Sequence, residues 1–91
     1  MDSHKSDIVL SCKGRDAGQL LLVMDEDKEH LYLANGRARR AERPKRKKRK
    51  HAVHQGSCDE RTRTKLLTTG RLTNNEIRRA LALWSERNGS D

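Results

Sequence analysis

A short polar loop between two aliphatic runs constrains this chain more than any other stretch. Asp7-Ile8-Val9-Leu10 lies on one side and Gln19-Leu20-Leu21-Leu22-Val23-Met24 on the other. Between them Ser11 to Gly18 carries Lys13, Arg15 and Asp16, with Gly14 and Gly18 supplying backbone angles that other residues resist. Runs rich in Val, Ile and Leu read as strands, so the unit is a β-hairpin or tight β-arch with Lys13 and Arg15 at its tip. Asp16 reads as a turn residue bonded to local backbone N–H groups. A lone hairpin is marginal in water, so the remaining chain must complete a sheet around it.

Ninety-one residues allow one small domain with tails. Only 32% of them are hydrophobic and none is phenylalanine, which predicts a thin aliphatic core. The formal net charge of +8 calls for a polyanion, either nucleic acid or an anionic membrane surface. No basic amphipathic helix large enough for the membrane alternative is present. Residues 1–6 are polar and read as a flexible tail, and no apolar run approaches membrane-spanning length. With no export signal, Cys12 and Cys58 are expected to be free thiols in a reducing cytoplasm.

Further along, Asp25 to Glu29 is a charged turn. His30 to Ala34 reads as a third strand, with Leu31 and Leu33 on one face and Tyr32 on the other. Asn35-Gly36 is a type I′ hairpin signal and predicts a fourth strand over Arg37 to Ala41. Pro44 breaks the chain. The block Lys45 to Lys50 has no apolar or acidic residue and is expected to repel itself into a disordered loop spanning 43–51. Ala52-Val53 reads as a short closing strand and residues 55–61 as a polar linker. A helical tail is expected over 62–88. Asp59 or Thr62 starts a short helix and Gly70 stops it. Thr73 and Glu76 form a capping box for a main helix over 74–87, whose apolar stripe is Ile77, Ala80, Leu81 and Trp84. There is no internal repeat. Four to five short strands followed by helices predict a mainly β fold, a small barrel that leaves no exposed edge, with a C-terminal helical tail.

The first strand, the Lys13-Gly14-Arg15-Asp16-Ala17-Gly18 loop and the second strand together resemble a KOW motif. The likeness runs through Tyr32-Leu33-Ala34-Asn35-Gly36 and the basic run ending at Lys50-His51. It extends loosely to Leu72 through Leu81, which is similar to the capped tail helix of bacterial KOW-domain RNA-binding proteins. Those proteins in turn resemble large-subunit ribosomal proteins. The resemblance implies an SH3-like barrel over 7–54 and RNA binding. Gln19, the aliphatic Leu20-Leu21-Leu22 and the segment 55–63 depart from the family pattern.

Arg37, Arg39, Arg40, Arg43, Lys45, Arg46, Lys47, Lys48, Arg49, Lys50 and His51 are opposed only by Glu42. Such a row replaces the counterions condensed on phosphates, and arginine adds bidentate contacts. With Lys13 and Arg15 it forms the expected RNA-binding set. Gly14, Gly18, Asn35 and Gly36 are the expected structural turns. With Tyr32 and Trp84 as the only aromatics, base stacking is not the main source of affinity. Of His51, His54, Cys58 and the distant Cys12, only His51-x₂-His54 comes near the paired spacing of a zinc site, and no base-and-orienter set surrounds a nucleophile. The expectation is therefore a cytoplasmic non-enzyme that needs no metal or cofactor and docks on structured RNA, ribosomal RNA or the ribosome. The alternative is a transcription or translation adaptor whose barrel or tail helix binds a protein partner, with Ile77, Leu81 and Trp84 as anchors.

Overall fold

The computed structural model describes residues 2–89. Five strands form one antiparallel sheet: β1 (Asp7–Ser11), β2 (Leu20–Glu26), β3 (His30–Ala34), β4 (Lys45–Lys48) and β5 (Ala52–Ser57). Two helices follow, α1 (Glu60–Thr69) and α2 (Asn74–Asn88). Spatial order is β4-β3-β2-β1-β5, so β4 and β5 occupy opposite edges. Yet only a one-turn 3₁₀ helix, Arg49–His51, joins them. A flat five-stranded sheet would hold its edges about 19 Å apart, whereas the four steps from one strand to the other span at most about 14 Å fully extended. The sheet must therefore curl, and two bulges bend it, one in β5 at Gln55, opposite Ile8 and Val9, and one in β2 at Met24, between Val23 and Asp25.

Curling creates two apolar clusters. Val9, Leu21, Val23, Leu31 and Leu33 fill the inner face, with Ala52 packed against them. Ile8, Leu22, Met24 and Ala34 point the other way, where Leu66, Leu72, Ile77 and Ala80 from the helical segment cover them. This explains the unbroken Leu20-Leu21-Leu22 run: β2 is buried on both faces, so neither face can be polar.

The helices are capped by side chains the sequence supplies. Asp59 accepts the Thr62 N–H at 3.1 Å, and Gly70 ends α1 at φ 74°, its N–H donating to the Leu66 carbonyl at 2.8 Å. Thr73 accepts the Glu76 N–H at 3.1 Å while Glu76 accepts the Thr73 N–H at 2.8 Å. Trp84 lies against Gly56 of β5, where any side chain would collide with the indole ring.

Four expectations fail, each for a physical reason. Arg37 to Ala41 is not a strand. Asn35 instead ties a loop, its Oδ1 accepting the N–H groups of Arg37 and Arg39 at 2.8 and 3.0 Å while its own N–H and that of Gly36 donate to the Arg39 carbonyl. The block 43–51 is not a free loop either. Lys45–Lys48 pairs with β3 because successive residues face opposite ways, Lys45 and Lys47 toward a buried carboxylate and Arg46 and Lys48 toward water, which separates the like charges. Residues 55–57 continue β5 and do not belong to a linker.

The N-terminal segment, finally, is strapped down. Ser6 donates its N–H to the Val23 carbonyl at 2.8 Å, and Ser3 is buried, its hydroxyl 2.9 Å from His54 Nδ1. Glu26 accepts the Lys5 N–H at 2.7 Å and lies 3.0 Å from both His4 and Arg49. Burial pushes the Glu26 carboxyl up, but the hydrogen bonds from Lys5, His4 and Arg49 outweigh it and hold the group at about 2, against an ordinary 4.5. A depressed carboxylate stabilises the fold above its unfolded value, and that contribution is lost as the pH falls through the folded value. Glu26→Gln is therefore expected to lower the Tm at pH 7 and to flatten its fall between pH 4.5 and 2, as followed by thermal melts across that range.

Candidate nucleic-acid interface

The loop between β1 and β2 is built on one buried ion pair. Asp16 and the Lys47 side chain are each about 6% exposed. Lys47 Nζ donates to Asp16 Oδ1 at 2.9 Å, to Ser11 Oγ at 2.8 Å and to the Lys13 carbonyl. Ser11 Oγ in turn donates to Asp16 Oδ1 at 2.8 Å. Lys45 Nζ stands 3.6 Å from the other Asp16 oxygen. Burial pushes the Asp16 carboxyl up, yet the hydrogen bonds from Lys47 and Ser11 and the charge of Lys45 hold it below the usual carboxylate range. Asp16 is thus an ion-pair partner for β4 rather than a simple turn former. Gly14 turns the loop at φ 90°, and a side chain there would sit 3.6 Å from both lysine ammonium groups.

This clamp seats the loop that carries Lys13 and Arg15 against β4. Lys13 and Arg15 are exposed at the loop. On β4, Lys45 and Lys47 point inward while Arg46 and Lys48 point outward and are exposed. Lys50 is exposed on the 3₁₀ turn, and His51 is half-buried beside it. Partial burial, and then the charges of Lys13, Lys50, Lys47 and Lys48, push the His51 imidazole below its ordinary pKa of 6.5. His51 sits among these cations and is harder to protonate than a free imidazole. Tyr32 is half-exposed opposite Arg46, and its hydroxyl donates to Asp27 at 2.7 Å.

The expected RNA-binding set therefore divides. Lys45, Lys47 and Arg49 are committed to the fold. Arg49 grips the Ser3 carbonyl at 2.6 Å, Glu26 at 3.0 Å and the Asp27 carbonyl at 2.7 Å. Arg39 is half-buried in the loop that Asn35 ties. Arg37, Arg40 and Arg43 are exposed on the connection between β3 and β4, with Arg40 paired to Glu42 at 3.5 Å. Sequence reasoning missed that lysines at alternate positions of an edge strand divide by face. Lys45 and Lys47 lie opposite Leu33 and Leu31 of the inner cluster, and that two-residue period was the available signal. It also missed Lys65, Arg71 and Arg78, which approach Arg40 from the helices.

The other candidate groups lie apart. Ile77 is fully buried, and Leu81 and Trp84 pack on the same core, so with α2 seated on the sheet these side chains hold it there. His54 lies 3.7 Å from Asp7, whereas Cys58 is buried under the helices, its thiol pushed up to about 11 by burial and then by Asp59. Among the described residues no group of three or more His, Cys, Asp or Glu side chains is placed to hold a metal ion. No helix among them is long and apolar enough to cross a membrane. No protein-family model matches the chain, and no curated protein is significantly similar to it.

Proposed function

We propose that the protein is an RNA-binding module that docks on structured RNA through phosphate contacts. The observation that carries this reading is the Lys47–Asp16 clamp. It seats the Lys13–Arg15 loop against β4, so that Lys13, Arg15, Arg46, Lys48 and Lys50 act from a fixed scaffold. Preordered cations lose less conformational entropy on binding than a disordered basic tail would. With Tyr32 the one aromatic residue on β3, recognition rests on backbone shape rather than on stacked bases. The curled five-stranded sheet, with its glycine loop between β1 and β2, is compatible with an SH3-like barrel of the KOW type. That resemblance makes ribosomal RNA the first target to test. For the adaptor alternative, the tail-helix anchors Ile77, Leu81 and Trp84 pack within the chain, which leaves the sheet as the surface that would bind a protein.

The test is a salt series of binding between the full chain and a structured RNA hairpin. Replacing Lys13, Arg15, Lys48 and Lys50 with alanine together is expected to shrink the slope of log K against log salt by about 3–4, with the circular dichroism spectrum unchanged. An unchanged slope overturns the reading, and so does equal affinity for acidic lipid vesicles.

A further inference from the structure

A second group of cations lies away from β4, in a cleft of about 630 Å³ between the α1–α2 turn and the loop that leads to Pro44. Four positive side chains line it, each from a different segment: Arg40 from the loop, Lys65 from α1, Arg71 from the turn and Arg78 from α2. Tertiary packing alone brings them together, because 38 positions separate Arg40 from Arg78 and nothing in the sequence pairs them. Three of the four are already oriented. Lys65 Nζ is 2.6 Å from Glu76, Arg40 is 3.5 Å from Glu42, and Arg78 donates to the Gly36 carbonyl and to Asn75.

The two carboxylates balance two of the four charges, Glu42 that of Arg40 and Glu76 that of Lys65, and leave a net positive excess on the group. Glu42 also accepts from Asn74 Nδ2, at 2.9 and 3.1 Å, which fixes it beside Arg40. Glu76 accepts the Thr73 N–H at 2.8 Å as part of the helix cap. Arg71 is exposed in the turn, and no ion pair forms on it among the described residues. Leu72, nearly buried, forms an apolar floor beside it. A concave site with preoriented guanidinium groups and excess positive charge suits a tetrahedral oxyanion, because arginine forks match phosphate oxygens two at a time.

We infer that this cleft holds a phosphate group of the bound RNA backbone, with Arg71 as the residue that closes on it. The inference rests on the RNA-binding reading above and extends its footprint from β4 to the helices. Arg40 is the link, since it belongs to the basic connection between β3 and β4 and also lines the cleft.

The test uses the full chain with the same RNA hairpin, and with inorganic phosphate alone. Arg71→Ala is expected to weaken RNA binding three- to tenfold and to reduce the salt slope by about 1. Arg71→Lys is expected to keep the salt slope and regain only part of the affinity. Arg71→Glu is expected to weaken binding more than Arg71→Ala. Wild-type affinity and slope for both Arg71→Ala and Arg71→Glu, alongside a loss on replacing Lys13, Arg15, Lys48 and Lys50, would overturn this inference while leaving the RNA reading intact. Loss in neither set overturns both. Shifts of the Arg71 and Leu72 amides with inorganic phosphate, without any effect of Arg71 on RNA affinity, overturn the RNA source of the phosphate.

Discussion

Lys47→Ala is expected to cost about 3–5 kcal/mol of folding stability, while Lys48→Ala, one residue away, changes it by no more than about 0.5 kcal/mol. The difference follows from which way each side chain points. Lys47 is buried and is the main partner of the Asp16 carboxylate, which has one oxygen without a hydrogen bond even in the intact fold. Removing the ammonium leaves Asp16 charged and buried with only the Ser11 hydroxyl donating to it and Lys45 at 3.6 Å. It also releases the Lys13 carbonyl and with it the loop. Lys48 is exposed, so its loss is expected to appear in RNA affinity and not in stability. Urea denaturation of the two variants measures the first effect and hairpin binding the second. Equal stability losses would show that the division of β4 by face is wrong.

Gly36→Ala is the other large effect, expected at about 2–4 kcal/mol. Two costs add at this position. The backbone is left-handed at φ 76°, which an L side chain adopts at about 1–2 kcal/mol. The new methyl would also stand 2.5 Å from the Asn74 carbonyl and 2.9 Å from Arg78 Cγ, so α2 would have to move off the sheet. Gly18→Ala isolates the first cost, since Gly18 sits at φ 87° with nothing within 4 Å of the added carbon. Chemical denaturation should therefore rank Gly36→Ala well below Gly18→Ala in midpoint. Equal midpoints would mean that α2 gives way without cost.

What the sequence made legible follows from how local each signal is. The glycine loop between two aliphatic runs, the Thr73 capping box and the Gly70 stop each depend on residues close together in the sequence, and each forms where the residues indicate. Asn35-Gly36 misled because its side chain closes a loop on Arg39 before any hairpin can form. The fate of Lys45 to Lys48 was beyond local reading, because a carboxylate some thirty positions earlier decides it. For the same reason, charge composition identified the cations but could not say which are structural. Lys47 and Arg49 are spent on the fold, and Arg71 and Arg78, outside the basic run, are brought toward Arg40 only by the docking of the helices.

Strand β2 contributes to both apolar clusters, with Leu21 and Val23 in one and Leu22 and Met24 in the other. Neither half of the molecule can then melt alone, since detaching the helices strips one side of the strand that organises the opposite side. Cooperativity is built into a single segment: native-state amide exchange should find its slowest protons along Leu21–Val23, and heat should take sheet and helices apart in one transition.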